Sequence, residues 1–153
     1  MRKDKPPPTP RERALALLAR REHSARELQR KLVRKGVAGD DAKAVVGELG
    51  EREWQNDARF AESLVRRRAL DGYGPSRIRA ELAMHGIGRE AASAAIAAAE
   101  PDWLGIAKRV FAAKYRDAAG VDARERQKRA AWLAARGFDA AMVRAVTRAD
   151  PED

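Results

Sequence analysis

The sequence predicts an all-α protein built as an elongated, curved tandem array of three three-helix repeats. Three segments share one pattern of a leucine, three further residues, a glycine and an apolar residue, namely Leu32 to Val37, Leu82 to Ile87 and Leu133 to Phe138. The glycines recur about every 50 residues, a period typical of helical arrays. Sustained alternation of apolar and polar residues, which would predict strands, does not occur. Because a repeat packs mainly against its neighbours, we expect an extended shape.

The first repeat is predicted at residues 10–52. It follows a basic, proline-rich N-terminus at residues 1–9 that we expect to be disordered. Thr9 and Glu12 have the spacing of a capping box, in which each side chain accepts from the other residue's backbone N–H. A helix is therefore expected to begin at Pro10, since proline suits the first helical position.

The second and third helices of this repeat also begin at short polar residues. Ser24 is expected to cap the second helix, whose buried residues are predicted to be Leu28 and Leu32. Asp40 or Asp41 is expected to cap the third.

The second repeat is predicted at residues 53–100 and has the clearest helix signals. Asp57 is expected to be the N-cap of its first helix, on which Phe60 and Leu64 lie four positions apart and share one face.

A corner from Gly72 to Pro75 is expected to separate this helix from the next. Its two glycines permit positive φ, and the proline suits the start of a helix. Ile78 and Leu82 are predicted to form the buried stripe of the second helix, and Gly86 is predicted to end it as a left-handed C-cap.

The third repeat is predicted at residues 101–149, before a tail at residues 150–153. Its first helix is expected from Asp102 to about Ala118, and its last is expected to be capped by Asp139.

This third copy is the least regular of the three. Arg129 stands where the other copies have an apolar residue, so Trp132 and Leu133 are expected to supply the packing. The other tryptophans, Trp54 and Trp103, are expected to pack at junctions rather than to stack nucleobases.

The charge of the chain favours a polyanionic partner. Its 32 lysines and arginines exceed 23 aspartates and glutamates, giving a net charge of +9.

The absence of cysteine suits a reducing cytoplasm. No apolar run approaches the roughly 20 residues that span a bilayer. Residues 1–10 lack the apolar core of a signal peptide. We therefore expect a cytoplasmic protein without a membrane partner.

Few residues are candidates for catalysis, metal binding or phosphate binding. The two histidines, His23 and His85, have no second metal ligand at suitable spacing. His23 precedes a cap, and His85 lies in the last turn of a helix, where the dipole favours a cation. No phosphate-binding glycine loop is present. We predict no catalytic residue, no metal site, no cofactor and no small-molecule substrate.

Basic residues on three predicted helices are the candidate contacts with a partner protein or DNA phosphate. These candidates are Arg26, Arg30, Lys31, Arg34, Lys35, Arg66, Arg67, Arg68, Arg77 and Arg79. The alternative is solvated surface charge, which explains the i,i+4 pair of Glu27 with Lys31. Arg66 to Arg68 are consecutive and span about 200° of a helix, so they cannot all face one flat surface.

The stretch DARFAESLVRRRALDGYGPSRIRAELAMHGI, residues 57–87, closely resembles the RecX family of regulators of the RecA recombinase. RERALALLARREHSARELQRKLVRKG and WLAARGF resemble the opening and closing segments of that family. The family-typical positions, which by their chemistry maintain the fold, are Asp57, Phe60, Ala61, Gly72, Gly74, Pro75, Ile78, Leu82, Gly86 and Ile87.

The resemblance implies a tandem array of three-helix repeats and a partner. It implies that the chain binds RecA on single-stranded DNA, lies in the groove of the filament, and inhibits ATP hydrolysis, strand exchange and coprotease activity. Such a regulator would modulate recombination, DNA repair and the SOS response, and we expect it to act as a monomer. The alternative is a stand-alone DNA-binding helical protein that makes no direct contact with RecA.

Overall fold

The computed structural model describes residues 3–116 and 121–149, and every regular element in those ranges is a helix. The nine helices are α1 (Pro10–Arg20), α2 (Ala25–Arg34), α3 (Gly39–Glu51), α4 (Asp57–Leu70), α5 (Pro75–Met84), α6 (Arg89–Ala99), α7 (Trp103–Lys114), α8 (Ala123–Ala135) and α9 (Ala140–Thr147). The predicted all-α class is confirmed. The predicted extension of α7 to about Ala118 is wrong, because the helix ends at Lys114 with Tyr115 as its C-cap. Residues 117–118 and the tail at residues 150–153 lie outside the described residues.

The chain divides into two compact units, Met1–Ala61 and Glu62–Asp153, and the boundary falls within α4. The division into three repeats stays a prediction, as does the disorder of the N-terminus. Residues 3–9 form neither helix nor strand.

The first unit has a small aliphatic core to which α1, α2 and α3 all contribute. Its buried members are Ala14, Leu28, Leu32, Ala42, Val46 and Leu49. α1 begins as predicted, because Thr9 Oγ1 accepts from Glu12 N at 3.2 Å while Glu12 Oε2 accepts from Thr9 N at 3.3 Å. Burial of one face and capping of the first turn together hold these short helices, which would be marginal alone.

Two predicted caps are wrong. The N-cap of α3 is Ala38, without a side-chain hydrogen bond, and Asp40 and Asp41 lie inside the first turn, where the helix dipole favours negative charge. α4 is capped by Asn56, whose Oδ1 accepts from Arg59 N at 3.0 Å. Asp57 is already helical, and its carboxylate is used elsewhere.

The second unit contains a core formed by α7, α8 and α9. Its buried members are Ala107, Ala130, Leu133, Phe138 and Val143. Trp103 and Trp132 pack at its edge as expected, whereas Trp54 in the first unit is exposed.

Arg129 is accommodated beside this core because its guanidinium is placed over an aromatic ring. The guanidinium carbon lies 4.5 Å from the centroid of Tyr115, and Nε lies 3.2 Å from Glu125 Oε1. The stem of the side chain is covered while its charge keeps a partner.

The repeated glycines end their helices in the left-handed conformation. Gly36, Gly86 and Gly137 have φ of +92°, +75° and +101°. In the first two copies the following residue donates back across the turn, from Val37 N to Leu32 O and from Ile87 N to Leu82 O, both at 3.1 Å. This is the bonding of a Schellman motif, and it explains why the leucine and the glycine recur together.

The two glycines of the corner serve different purposes. Gly72 has φ of +85°, as predicted, but Gly74 has φ of −88°. The backbone of Gly74 instead lies against that of Gly137, where a Cβ would collide with main-chain atoms. Gly74 N donates to Arg136 O at 2.7 Å, and Ser76 N donates to Gly137 O at 3.1 Å. The missing side chain therefore permits two backbone hydrogen bonds between α5 and the end of α8.

Gly74→Ala is expected to lower the free energy of unfolding by about 2–3 kcal/mol, because backbone cannot yield to a new methyl group. Gly88→Ala is the matched control, since Gly88 is also an N-cap glycine with negative φ but has nothing within 4 Å of the position that a methyl group would occupy. It is expected to cost less than about 1 kcal/mol. Equal losses in denaturant titrations of the two variants would show that the close approach is unimportant.

Candidate contact surface

The exposed side of α2 carries a row of arginines. Arg26, Arg30 and Arg34 are four positions apart, and all three are exposed. Residues at this spacing lie on one helix face, about 6 Å apart along the axis. Lys35 follows at the C-cap and is also exposed. We call Arg26, Arg30 and Arg34 the α2 arginine row.

α2 is fixed at its N-terminus by two side-chain acceptors. Ser24 Oγ accepts from Glu27 N at 3.1 Å, as predicted. Asp57 Oδ1 accepts from Ala25 N at 2.9 Å, so Asp57 caps α2 from 32 positions further along the chain. A carboxylate at this end of a helix also interacts favourably with the helix dipole.

A buried glutamine holds the Asp57 carboxylate in place. Gln55 Nε2 donates to Asp57 Oδ1 at 2.9 Å and to His23 O at 3.2 Å. The segment before α2 and the segment before α4 are thereby joined by side-chain hydrogen bonds. This contact was not predicted, because sequence spacing shows only local capping partners.

His23 is buried, with 1% of its surface exposed, and lies between a carbonyl and an ammonium group. Its Nδ1 is 3.0 Å from Arg21 O, and its Nε2 is 2.9 Å from Lys31 Nζ. A carbonyl only accepts and an ammonium only donates, so Nδ1 must carry the proton and Nε2 must accept. The neighbours therefore select the neutral imidazole.

The same group contains a strong ion pair. Arg21 donates to both carboxylate oxygens of Glu27 at 2.9 and 2.8 Å, and Lys31 Nζ lies 3.8 Å from Glu27. Burial lowers the pKa of His23, and the charges of Arg21 and Lys31 add to that effect. Burial alone would raise the pKa of Glu27, but the hydrogen bond and charge of Arg21, with smaller effects of His23 and Lys31, lower it overall. Lys31 is thus engaged within the fold by His23 and Glu27.

The three consecutive arginines of α4 have different surroundings. Arg68 donates to both oxygens of Glu81 at 2.8 and 2.7 Å and to Asp71 at 3.3 Å, joining α4 to α5. The hydrogen bond to Glu81 raises the pKa of Arg68, and the same bond lowers the pKa of Glu81. Arg66 is exposed, and Arg67 is half-buried, with an Nε that has no hydrogen-bond partner. The three arginines therefore do not form one surface, as their consecutive positions predict.

Arg77 and Arg79 on α5 are both exposed. Arg79 donates to Ser93 Oγ at 2.7 Å. Arg77 lies over Tyr73, with its guanidinium carbon 4.3 Å from the ring centroid. Arg136 lies 4.4 Å from the same centroid. The tyrosine of the corner is thus flanked by two cations.

Arg136 also donates hydrogen bonds to backbone carbonyls that follow α4. It donates from Nε to Gly72 O at 3.0 Å and from Nη2 to Asp71 O at 2.9 Å. Cationic donors are favourable at this end of a helix. Arg136 therefore stabilises the corner that precedes α5.

The structure adds cations that the sequence did not single out. Arg124, Arg126 and Lys128 lie on the solvent-facing part of α8. The charged run of α8 is visible in the sequence, but nothing there separates it from ordinary surface charge.

In residues 3–116 and 121–149 there is no group of three or more histidine, aspartate or glutamate side chains arranged to hold a metal ion. Within the same ranges, no helix has the length and apolar character needed to cross a bilayer.

These helices define an all-α protein whose exposed surfaces carry many cationic side chains. Residues 11–49 match the family description "RecX, first three-helix domain", and residues 56–96 match "RecX, second three-helix domain". The chain belongs to the RecX family.

Curated relatives agree over nearly the whole chain. A protein of Xanthomonas oryzae pv. oryzae (strain PXO99A) named regulatory protein RecX is 50% identical over 145 residues, covering 95% of this chain and 90% of the relative. A protein of the same name from Stenotrophomonas maltophilia (strain R551-3) is 48% identical over 145 residues, covering 95% and 89%. The relatives' shared name supports a regulatory role.

Two solved structures share the fold. The crystal structure of RecX from Lactobacillus salivarius has a TM-score of 0.71 and 21% identity, covering 91% of this chain and 92% of that one. A second crystal structure, of regulatory protein RecX, has a TM-score of 0.78 and 22% identity, covering 91% of this chain and 71% of that one.

Asp57→Ala is expected to lower the free energy of unfolding by about 2 kcal/mol, because Ala25 N and Gln55 Nε2 lose their acceptor. Asp57→Asn keeps an oxygen and is expected to cost less. Asp40→Ala serves as the control, since Asp40 lies in a first turn but does not cap. Denaturant titrations in which Asp57→Ala and Asp40→Ala lose equal stability would contradict the cross-chain cap.

The burial of neutral His23 predicts a loss of stability in mild acid. Because its pKa is lower in the folded than in the unfolded chain, the unfolded chain binds more protons below the ordinary value of 6.5. The contribution of His23 is complete above that pH and declines as the pH falls toward the folded-state pKa. Glu27 acts in the same direction, but only below its ordinary value of 4.5.

The free energy of unfolding is therefore expected to fall between about pH 6.5 and 5 in the natural chain and to fall less steeply in His23→Gln. The measurement is a series of urea titrations across this range. Parallel curves for the two proteins would assign the pH dependence to other groups.

Proposed function

We propose that this protein binds RecA filaments on single-stranded DNA and inhibits the recombinase. The activities restrained would be ATP hydrolysis, strand exchange and coprotease action, so that the protein modulates recombination, DNA repair and the SOS response. The observation that carries the proposal is membership of the RecX family, with 50% identity over 95% of the chain to a protein named regulatory protein RecX. Binding rather than catalysis performs the task, and the protein acts as a cytoplasmic monomer without a cofactor.

Inhibition follows from differential affinity. A ligand changes the population of filament states only when it binds one state more tightly than another. A chain that contacts neighbouring RecA protomers in a non-productive arrangement would favour that arrangement and slow ATP turnover. Few copies would be needed if each holds several protomers.

The α2 arginine row is the contact we assign first, because its side chains lie on one solvent-facing side of a helix. Lys35, which is exposed at the C-cap of the same helix, is assigned with it. Arg77 and Arg79 of α5, in the second unit, are proposed as a separate set of contacts. Lys31 and Arg68 act indirectly, since their charges are engaged with Glu27 and Glu81 and hold the helices that carry the exposed residues.

A stand-alone DNA-binding protein is the second candidate function. The net charge of +9 favours it, because counterion release drives any strongly basic surface toward nucleic acid. In that case inhibition would follow from competition for naked DNA and would disappear when DNA is in excess. Direct contact with the filament would persist under that condition.

The deciding experiment titrates the protein into RecA, ATP and excess single-stranded DNA while ATP turnover is followed. We expect inhibition at well below one molecule per RecA protomer. Arg26→Ala/Arg30→Ala/Arg34→Ala is expected to raise the half-inhibitory concentration about tenfold, or about 1.4 kcal/mol shared among three surface contacts.

The control with the same loss of charge is Arg20→Ala/Lys43→Ala/Arg89→Ala, which removes exposed cations from three different helices. It is expected to inhibit within about twofold of the natural chain. Circular dichroism confirms that both variants remain helical. No inhibition by the natural chain would reject the filament proposal, whereas equal inhibition by the two variants would reject the α2 arginine row.

A further inference from the structure

An apolar groove of about 310 Å³ lies in the second unit, at the ends of α4 and α6 and beside α7. Its surface is formed by Leu70, Pro101 and Ile106 together with alanine side chains, and Arg66 and Arg109 complete its lining. The volume is at the small end of the range for ligand sites, enough for one or two side chains.

Leu70 is the least buried large apolar residue of this region, with 76% of its surface exposed. A single exposed leucine is ordinary, but here it borders a concave aliphatic surface. Covering Leu70 and the groove together would remove more apolar area from water than covering a leucine on a convex surface.

The charges at the groove are of one sign. Arg66 precedes Leu70 by four positions and therefore lies on the same face of α4. Arg109 is exposed and donates from Nη2 to Leu70 O at 3.4 Å, a contact that uses one of its five N–H donors. The described residues that line the groove include no acidic side chain. An apolar group that enters it would thus be flanked by cations that favour carboxylates.

We propose that this groove is a docking site for an acidic peptide segment of a partner protein, with one apolar anchor side chain in the groove and carboxylates against Arg66 and Arg109. A buried apolar anchor beside an arginine is a frequent arrangement at the centre of protein interfaces. Nucleic acid is the less suitable occupant, because the described lining residues offer no aromatic ring on which a base could stack.

Binding can be tested on the full chain alone, without RecA or DNA. The probes are five synthetic octapeptides in which a leucine, isoleucine, methionine, phenylalanine or tryptophan is flanked by glutamates. Two-dimensional NMR of the isotope-labelled protein is expected to show shifts of the Leu70 and Ile106 amides with at least one peptide at about 1 mM, a concentration that detects weak docking. Peptides with serine at the anchor, or with glutamine for glutamate, are expected to bind at least about fivefold more weakly.

Two variants locate the site. Leu70→Ser is expected to weaken the best peptide about tenfold, and Arg66→Gln about threefold. Their matched controls are Met84→Ser, which removes another apolar side chain that is 71% exposed, and Arg89→Gln, which removes an exposed arginine outside the groove. Both controls are expected to bind within about twofold of the natural chain.

Three outcomes would overturn the proposal. The first is the absence of groove shifts with all five peptides. The second is equal weakening by the groove variants and their controls. The third is displacement of the best peptide by oligothymidylate that shifts the same amides, which would assign the groove to nucleic acid. Because RecA takes no part in these measurements, failure here and failure of the inhibition experiment are distinguishable.

Discussion

Every α-helix leaves backbone N–H groups at its start and carbonyls at its end without helical partners, and at α2 and α4 residues from distant positions in the chain supply some of the missing partners. Asp57 accepts from the first turn of α2, and Arg136 donates to the carbonyls after α4. Each contact caps one element and fixes it against another. In a protein of short helices and alanine-rich cores, capping across the chain supplies orientation that apolar packing alone would leave loose.

Hydrogen bonds and ion pairs within the fold engage several of the cations. Lys31, Arg68 and Arg136 are held by acceptors within the fold, where their charges stabilise neighbouring helices. The arginine row of α2 lies on the solvent side of its helix, where a polyanion can approach it. The number of basic residues in the sequence is therefore larger than the number available to contact a partner.

Much of the architecture could be predicted because its signals are local. The recurring leucine and glycine mark helix ends through one backbone hydrogen-bonding pattern, and Leu28, Leu32, Ile78 and Leu82 are fully buried as their spacing predicts. The candidate surface was less predictable. Helical spacing placed Arg26, Arg30 and Arg34 on one face, but nothing in the sequence distinguished Arg68, which Glu81 neutralises, from its exposed neighbour Arg66.

The sequence by itself determined the helical class, most helix ends, the buried stripes and the family, because these depend on periodicity, backbone preferences and residue identity. Only the tertiary structure decided which helix Asp57 caps, why Gly74 must lack a side chain, and which tautomer His23 adopts. Each of these depends on atoms brought together from distant positions, such as Ala25 N, the backbone of Gly137 and Lys31 Nζ. Backbone conformational preferences depend on residues that are close in sequence, whereas a hydrogen bond between distant positions forms only when the helices have packed.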